Sequence, residues 1–305
     1  MAHDVERIIG PAGWMPWAEL IRRVDRSTIT AWVSTGKLVR PHPGIYASPS
    51  AAALWRVRLE SAVRSRGAVA SHATALALWG LVPPTGTVHL SVSPTRSGRG
   101  SPGVALHRGR DLHDAVRRVN GLPVTCVERS LVDAWGAPAE LARPTIRAAA
   151  ITAVRQRLCR PADLAFELDR RPRLPHRPEF AHLVRLLADG CRSELEIWGC
   201  LQVLRSPGMP PFVQQRQVTV AGARYFLDAA YDDVLLAVEL DGAAWHGSRQ
   251  QRERDIRRDA LIATIGWQTL RFGHARMTAE PDSCRRDIQS TYTARRELFG
   301  RNAVR

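Results

Sequence analysis

Helical and strand spacings of apolar residues take turns along the chain, and each change marks an expected element. WAELIRRV, residues 17–24, is amphipathic, with Pro16 standing where a first helical residue belongs. A break at 25–27 leads into a second helix over 28–35, which Gly36 is placed to end in the left-handed conformation. KLVR and IYA follow as short strands around Pro41-His42-Pro43-Gly44. Two helices joined by a tight turn, then a two-stranded wing, predict a winged helix-turn-helix. A helix over 52–65, strands over 88–92 and 104–108, and a helical run over 128–160 predict an α/β middle domain. In the last third, Ser193-Glu194-Leu195-Glu196 opens an apolar helix, IWGCLQVL. Strands over 224–230 and 234–242 follow, then an arginine-rich helix and a strand over 267–272. The expected result is an αβββ-type core, its second helix preceding the final strand, around a central mixed sheet.

The chain has 305 residues, 45% of them hydrophobic, which is enough for two or three packed domains and too apolar for a disordered protein. Three regions are expected: 1–50, 51–188 and 189–305. The Pro/Arg-rich stretch RRPRLPHRP, residues 170–178, reads as a linker or extended strap, since its three prolines forbid a continuous helix. No apolar run is long enough to span a bilayer. MAHDVERIIG carries Asp4 and Glu6 in place of a basic start and apolar core, and a cytoplasmic protein is expected. The five cysteines are widely spaced without a CxxC pair and read as reduced, buried thiols.

Charge narrows the choice of partner. Lys+Arg number 44 against 29 Asp+Glu, a formal +15, and the usual partner for such an excess is nucleic acid. Region 51–188 carries +11 of it, the flanking regions +2 each. Lys37 is the one lysine, a bias that reflects a GC-rich genome more than a demand for guanidinium.

In a helix-turn-helix the second helix enters the major groove by its N-terminal end, so Arg26, Ser27, Thr28 and Thr30 are candidate DNA contacts. Lys37, Arg40 and His42 are candidate wing contacts to the phosphate backbone, and Arg96 and Arg99 sit in a loop that reads as solvated. Ser71-His72 resembles a nucleophile and base but lacks an orienting carboxylate; it reads as a helix cap beside a satisfied histidine. The third region is the one with chemistry. A two-residue turn at Asp232-Asp233 would set Asp228 opposite Ala237 and place Glu239 and Asp241 on its face. Clustered carboxylates repel, and a hard divalent cation such as Mg²⁺ or Mn²⁺ resolves the repulsion while activating water toward a phosphodiester. Asp228, Glu239 and Asp241 are the candidate metal ligands, His246 a proton carrier, and Arg254 and Arg258 candidate phosphate clamps among Arg249, Arg252 and Arg257. Simpler explanations stand beside these: Asp241-Gly242 as a turn, Ser193 with Glu196 as a capping box, the arginine helix as a solvated face.

Two resemblances bear on these readings. AELIRRVDRSTITAWVSTGKLVRPHPGIYASP, SHATALALWGL and GLPVTCVERSLVDAW resemble AbiEi-type antitoxins over roughly residues 5–150. That likeness implies a winged-helix DNA reader followed by an α/β domain, autoregulation of transcription and a toxin partner. SELE, FLDAAY, VELDGAAWH and RDIRRDALIATIGWQTLRF resemble a domain related to the very-short-patch-repair endonucleases, of the PD-(D/E)XK superfamily, over about 193–275. That likeness implies a restriction-endonuclease-like core in which Asp228 and Glu239 bind metal, Glu196 is the auxiliary helix acid, and Asp241 and His246 lie beside the site. The superfamily's lysine falls at Asp241, a departure shared with the repair branch, where histidine helps activate water. The chain therefore reads as a DNA-binding protein with a Mg²⁺-dependent endonuclease domain. The alternative is a non-catalytic antitoxin-like regulator whose nuclease fold is a binding module.

Overall fold

The computed structural model describes residues 5–96, 100–137, 141–241 and 249–302, which form a mixed α/β chain in two compact units, Met1–Ala181 and His182–Arg305. No helix among the described residues is long and apolar enough to cross a membrane.

After a short opening helix, Val5–Ile9, the first unit sets the helix pair Trp17–Leu20 and Arg26–Ser34 beside a three-stranded antiparallel sheet in the order Trp14–Pro16, Ile45–Ala47, Val39–His42. The first helix is shorter than its apolar spacing predicts because its backbone tightens into three-residue turns at Arg22 and Arg23. The second begins two residues earlier than expected. Asp25 is its N-cap, accepting the Thr28 amide at 2.9 Å, so the expected break is the cap itself. Gly36, with φ of +70°, ends this segment as expected. Leu20, Val24, Ile29, Trp32, Leu38 and Tyr46 close the core beneath these elements. His42 is buried in the second strand and approaches the Arg58 carbonyl at 3.3 Å, so it is not a wing contact to the solvent side.

The rest of this unit is a five-stranded mixed sheet in the order Val104–Arg108, Val88–Val92, Val69–Ala70, Leu122–Thr125, Val116–Val119. Three of these strands have no strong signal in the sequence, and the two-residue one lies at the centre. The helical run expected over 128–160 is instead two helices, Val127–Gly136 and Arg143–Arg155, with Pro144 in the first turn of the second. Residues 170–176 pack back on the first of these: the Trp135 indole donates to the His176 carbonyl at 3.1 Å, and a Cβ on Gly136 would meet Leu174 at 2.6 Å. The Pro/Arg stretch is thus a bound strap.

The second unit is a four-stranded mixed sheet in the order Gln268–Gly273, Leu236–Asp241, Ala223–Tyr231, Val213–Val220. The first pair is parallel and joined through the helix Arg249–Thr264; the others are antiparallel. Helix Glu194–Gly199 runs on into a π-helical turn, Cys200–Leu204, and Pro281–Asn302 closes the unit. Leu227, Ala230, Ala237, Ile262 and Trp267 form a buried cluster between the sheet and the crossover helix. All five cysteines are free and buried.

Candidate functional site

The hairpin that carries the acids is offset from its expected pairing. Ala230, not Asp228, lies opposite Ala237, because four residues, 232–235, separate the strands, and Leu235 takes a φ of +50° to turn the chain. Continuing this register sets Asp228 opposite Glu239. A shift of two preserves the face, so Asp228, Glu239 and Asp241 remain on one side of the sheet.

Asp228 is held from two directions. One carboxylate oxygen accepts the Leu240 amide at 2.9 Å, the other the Gln215 side-chain amide at 3.0 Å. Gln215 comes from the edge strand with a φ of +49°, a conformation that costs a non-glycine residue free energy. The same amide reaches Glu196 at 3.5 Å and so links the two acids. Glu196 sits in the first turn of its helix, where the Ser193 hydroxyl accepts its amide at 3.1 Å. Its own carboxylate reaches one residue further back than a capping box requires, to the Arg192 amide at 2.8 Å. This helix lies close to the central strand at a glycine: a Cβ on Gly199 would stand 2.8 Å from Leu240.

Glu239 is 4% exposed and takes a bidentate contact from Arg258, at 3.0 and 3.2 Å. Arg258 also donates to the Phe226 carbonyl at 2.5 Å, so its guanidinium is anchored over the hairpin rather than presented to solvent. Arg254, one turn earlier, is exposed. Asp241 faces Arg271, whose Nη1 lies 3.1 and 3.2 Å from its two oxygens and whose other edge takes Asp259 at 2.9 and 3.1 Å. Arg271 comes from the final strand and stands inside the motif RDIRRDALIATIGWQTLRF, but its pairing with Asp241 and Asp259 emerges only in the fold; Gln215 and Arg192 lie outside any motif and are found only in the fold.

The electrostatics follow from too many acids in too little water. Burial, and then Asp228, push Glu239 up to about 7, although Arg258 and Arg271 oppose the shift. Burial also raises Asp228 and Glu196, each against its own hydrogen bonds. Asp228 and Glu239, opposed across the hairpin, fit a hard divalent cation in donor chemistry and need water and phosphate oxygens to complete its shell. Asp241, turned to Arg271, does not fit it in this arrangement, and no cluster of three ligating side chains forms among the described residues. His246 lies outside the described residues, as do the side chains of Arg249 and Arg252.

At the N-terminal helix pair, Arg26, Ser27, Thr30, Lys37 and Arg40 are exposed and Thr28 half-buried. The hydroxyls of Ser27 and Thr28 both donate to Asp25, and Thr30 donates to the Arg26 carbonyl at 2.8 Å. The Ser27 hydroxyl, then the Thr28 amide and hydroxyl, hold the Asp25 carboxyl well below the usual carboxylate range. Arg26 and Arg40 lie over Trp17 and Tyr46, at 5.8 and 5.4 Å from the ring centres.

A family model described as REase_MTES_1575, a restriction-endonuclease-like family, matches residues 202–291. The stretch includes the three strands that carry Gln215, Asp228 and Glu239, the arginine helix and the final strand. Among solved structures, the chain is similar to the RV2827C protein from Mycobacterium tuberculosis at 17% identity and a TM-score of 0.40, over 56% of this chain and 71% of that one. No curated protein matches the chain.

Proposed function

We propose that this chain is a DNA-binding protein whose nuclease-like second unit hydrolyses phosphodiester bonds with a divalent metal. The restriction-endonuclease-like match over 202–291 supports the class of domain. The observation that carries the reading is the pairing of Asp228 with buried Glu239 across one hairpin, with Glu196 joined to them through Gln215. Bound there, Mg²⁺ or Mn²⁺ would polarise a phosphodiester and lower the pKa of a water. Asp228, fixed by the Leu240 amide, would be one ligand and Glu239 the other. Arg258 stands ready to exchange Glu239 for a phosphate oxygen when a cation takes its place, since a guanidinium pairs with either in the same bidentate manner. Arg254 would steady a neighbouring phosphate and His246 carry a proton.

In the same reading the N-terminal elements are a winged helix-turn-helix. Arg26 and Thr30 on the helix, with Lys37 and Arg40 near the paired strands, would meet DNA, while Ser27 and Thr28 shape the helix start through Asp25. Such a reader would bring a basic protein to DNA through phosphate contacts.

A second reading has its own observation. Asp241 holds the position of the superfamily's lysine and is engaged by Arg271, while Arg258 occupies both oxygens of Glu239. A charge-closed site of this kind suits a regulator that binds DNA, or a toxin partner, without cutting. Nicking of supercoiled plasmid by the whole protein with Mg²⁺ or Mn²⁺, beside EDTA and Asp228→Ala, separates the two. Metal-dependent nicking lost in the variant is the expected result. Intact binding with no nicking by the wild type would overturn the enzyme and leave the regulator.

A further inference from the structure

The first unit contains a cluster of histidines that the nuclease reading does not use. His72 at the start of a helix, His89 in strand Val88–Val92 and His107 in strand Val104–Arg108 come together from three elements. His72 stacks on His107 with ring centres 3.7 Å apart and planes 20° from parallel. His107 and His89 lie nearly coplanar, Nε2 of one 2.9 Å from Nδ1 of the other. Burial pushes His107 down to about 4 and His72 well below the usual range, so both rings are neutral at neutral pH. Three adjacent imidazoles are an expensive way to fill a core that apolar side chains would fill more cheaply.

The surroundings give the rings a direction. Ser71 is the N-cap residue of the helix, but its side chain makes no capping hydrogen bond; its hydroxyl lies 2.9 Å from His72 Nδ1 and accepts the Ser91 hydroxyl at 2.8 Å. Ser91 is the donor to Ser71, so the one partner left among the described residues for the buried Ser71 O–H is Nδ1, and donation there keeps that hydroxyl satisfied. The His72 proton then resides on Nε2, which has no hydrogen-bond partner among the described residues. His72 carries this arrangement at a φ of +51°, a strained conformation for a residue with a Cβ.

His72 and His107 line an open cavity of about 510 Å³, whose other walls are Asp133, Gly136, Ala137 and strap residues 170–175. Of the strap arginines, Arg170 and Arg171 are paired with Asp111, Glu167 and Asp133. Arg173 is exposed and has no acidic partner among the described residues. The space is several times what a bare phosphate needs, and prolines, Leu174 and the flat imidazoles supply most of its walls. The apolar and imidazole faces suit a flat heterocycle, and the open side of the pocket leaves the hydroxyls of an attached ribose to water.

We propose that this cavity binds a nucleoside monophosphate, its phosphate taken by Arg173 and the Nε2–H of His72 and its base held between the imidazoles and the strap. The site lies wholly within the first unit and stands independently of the nuclease reading. The test is calorimetric titration of the full protein with AMP, GMP, CMP and UMP, beside the four nucleosides and inorganic phosphate, with the histidine Cε1–H signals followed by NMR. At least one nucleotide should bind, shifting the His72 and His107 signals. His72→Gln and Arg173→Gln should each weaken it by about tenfold or more, the scale of one lost charge-assisted hydrogen bond. Arg173→Gln leaves the fold untouched, so the test survives even if His72→Gln does not fold. The proposal is overturned if no nucleotide binds at millimolar concentration, or if binding is undiminished in Arg173→Gln. Equal affinity for the bare nucleoside or for inorganic phosphate would overturn it as well.

Discussion

Each unit buries a knot of arginines and acids, and the two knots are built differently. In the first, Arg129 takes Asp133 at 2.6 Å and Glu167 at 3.1 Å, while Arg171 and Arg170 close on Glu167 and on to Asp133 and Asp111. Three guanidinium groups meet three carboxylates, and Arg129 is 3% exposed. In the second, Glu196, Asp228, Glu239, Asp241 and Asp259 have, among the described residues, ion pairs only with Arg258 and Arg271. A balanced knot ties the strap and helices of its unit together. An acid-rich one leaves a surplus of negative charge that a further cation would relieve. Burial raises Asp133 in the balanced knot too, so the difference lies in the count of partners more than in dehydration.

The largest effect should come from unbalancing the balanced knot. Arg129→Met leaves Asp133 and Glu167 buried without their main partner and should cost about 3–5 kcal/mol in denaturant unfolding. A loss below about 1 kcal/mol would mean that the strap arginines alone hold those acids. The acid-rich knot should instead respond to pH. Glu239 stands at about 7 in the folded protein against an ordinary 4.5, so the folded state holds more protons than the unfolded one between those values. Stability contributed by its protonation is present at pH 4 and is lost as pH rises through about 7, by up to about 3 kcal/mol. Urea unfolding at a series of pH values should show this decline for the second unit, and Glu239→Gln should flatten it. Arg258→Met should then be tolerated near pH 5, where Glu239 is neutral, and cost more at pH 8. Added Mg²⁺ should recover part of that cost if the cation occupies the place the guanidinium leaves. Smallest of all is Arg205→Ala, which removes an exposed pair with Asp189 at 2.8 Å and should change stability by less than about 0.5 kcal/mol.

What could be read in the sequence was the local part of this arrangement. Gly36 ends its segment and the two short strands turn at Pro43 and Gly44, because capping and turn signals act over a few residues. Glu239 and Asp241 fell on the face of Asp228 although the pairing was two residues out, since period-two alternation survives an even shift. What depends on distant pairing was not visible. Gln215 bridges Asp228 and Glu196, and Arg271 claims Asp241, only once the edge and final strands have joined the sheet. The histidine stack is hidden from the sequence for the same reason: Ser71-His72 has no obvious purpose until His89 and His107 arrive from two strands.

The parallel pairing of Leu236–Asp241 with Gln268–Gly273 also dictates an order of events during synthesis. The antiparallel hairpin of Ala223–Tyr231 and Leu236–Asp241 can close as soon as it leaves the ribosome, because its partners are a few residues apart. Arg258 and Arg271 emerge later, and the crossover helix must form before the last strand can dock. For that interval Glu239 and Asp228 have neither arginine in place and keep their water. Their dehydration is therefore a late event, completed only when the crossover helix and the last strand bring Arg258 and Arg271 onto acids that the hairpin has already brought together.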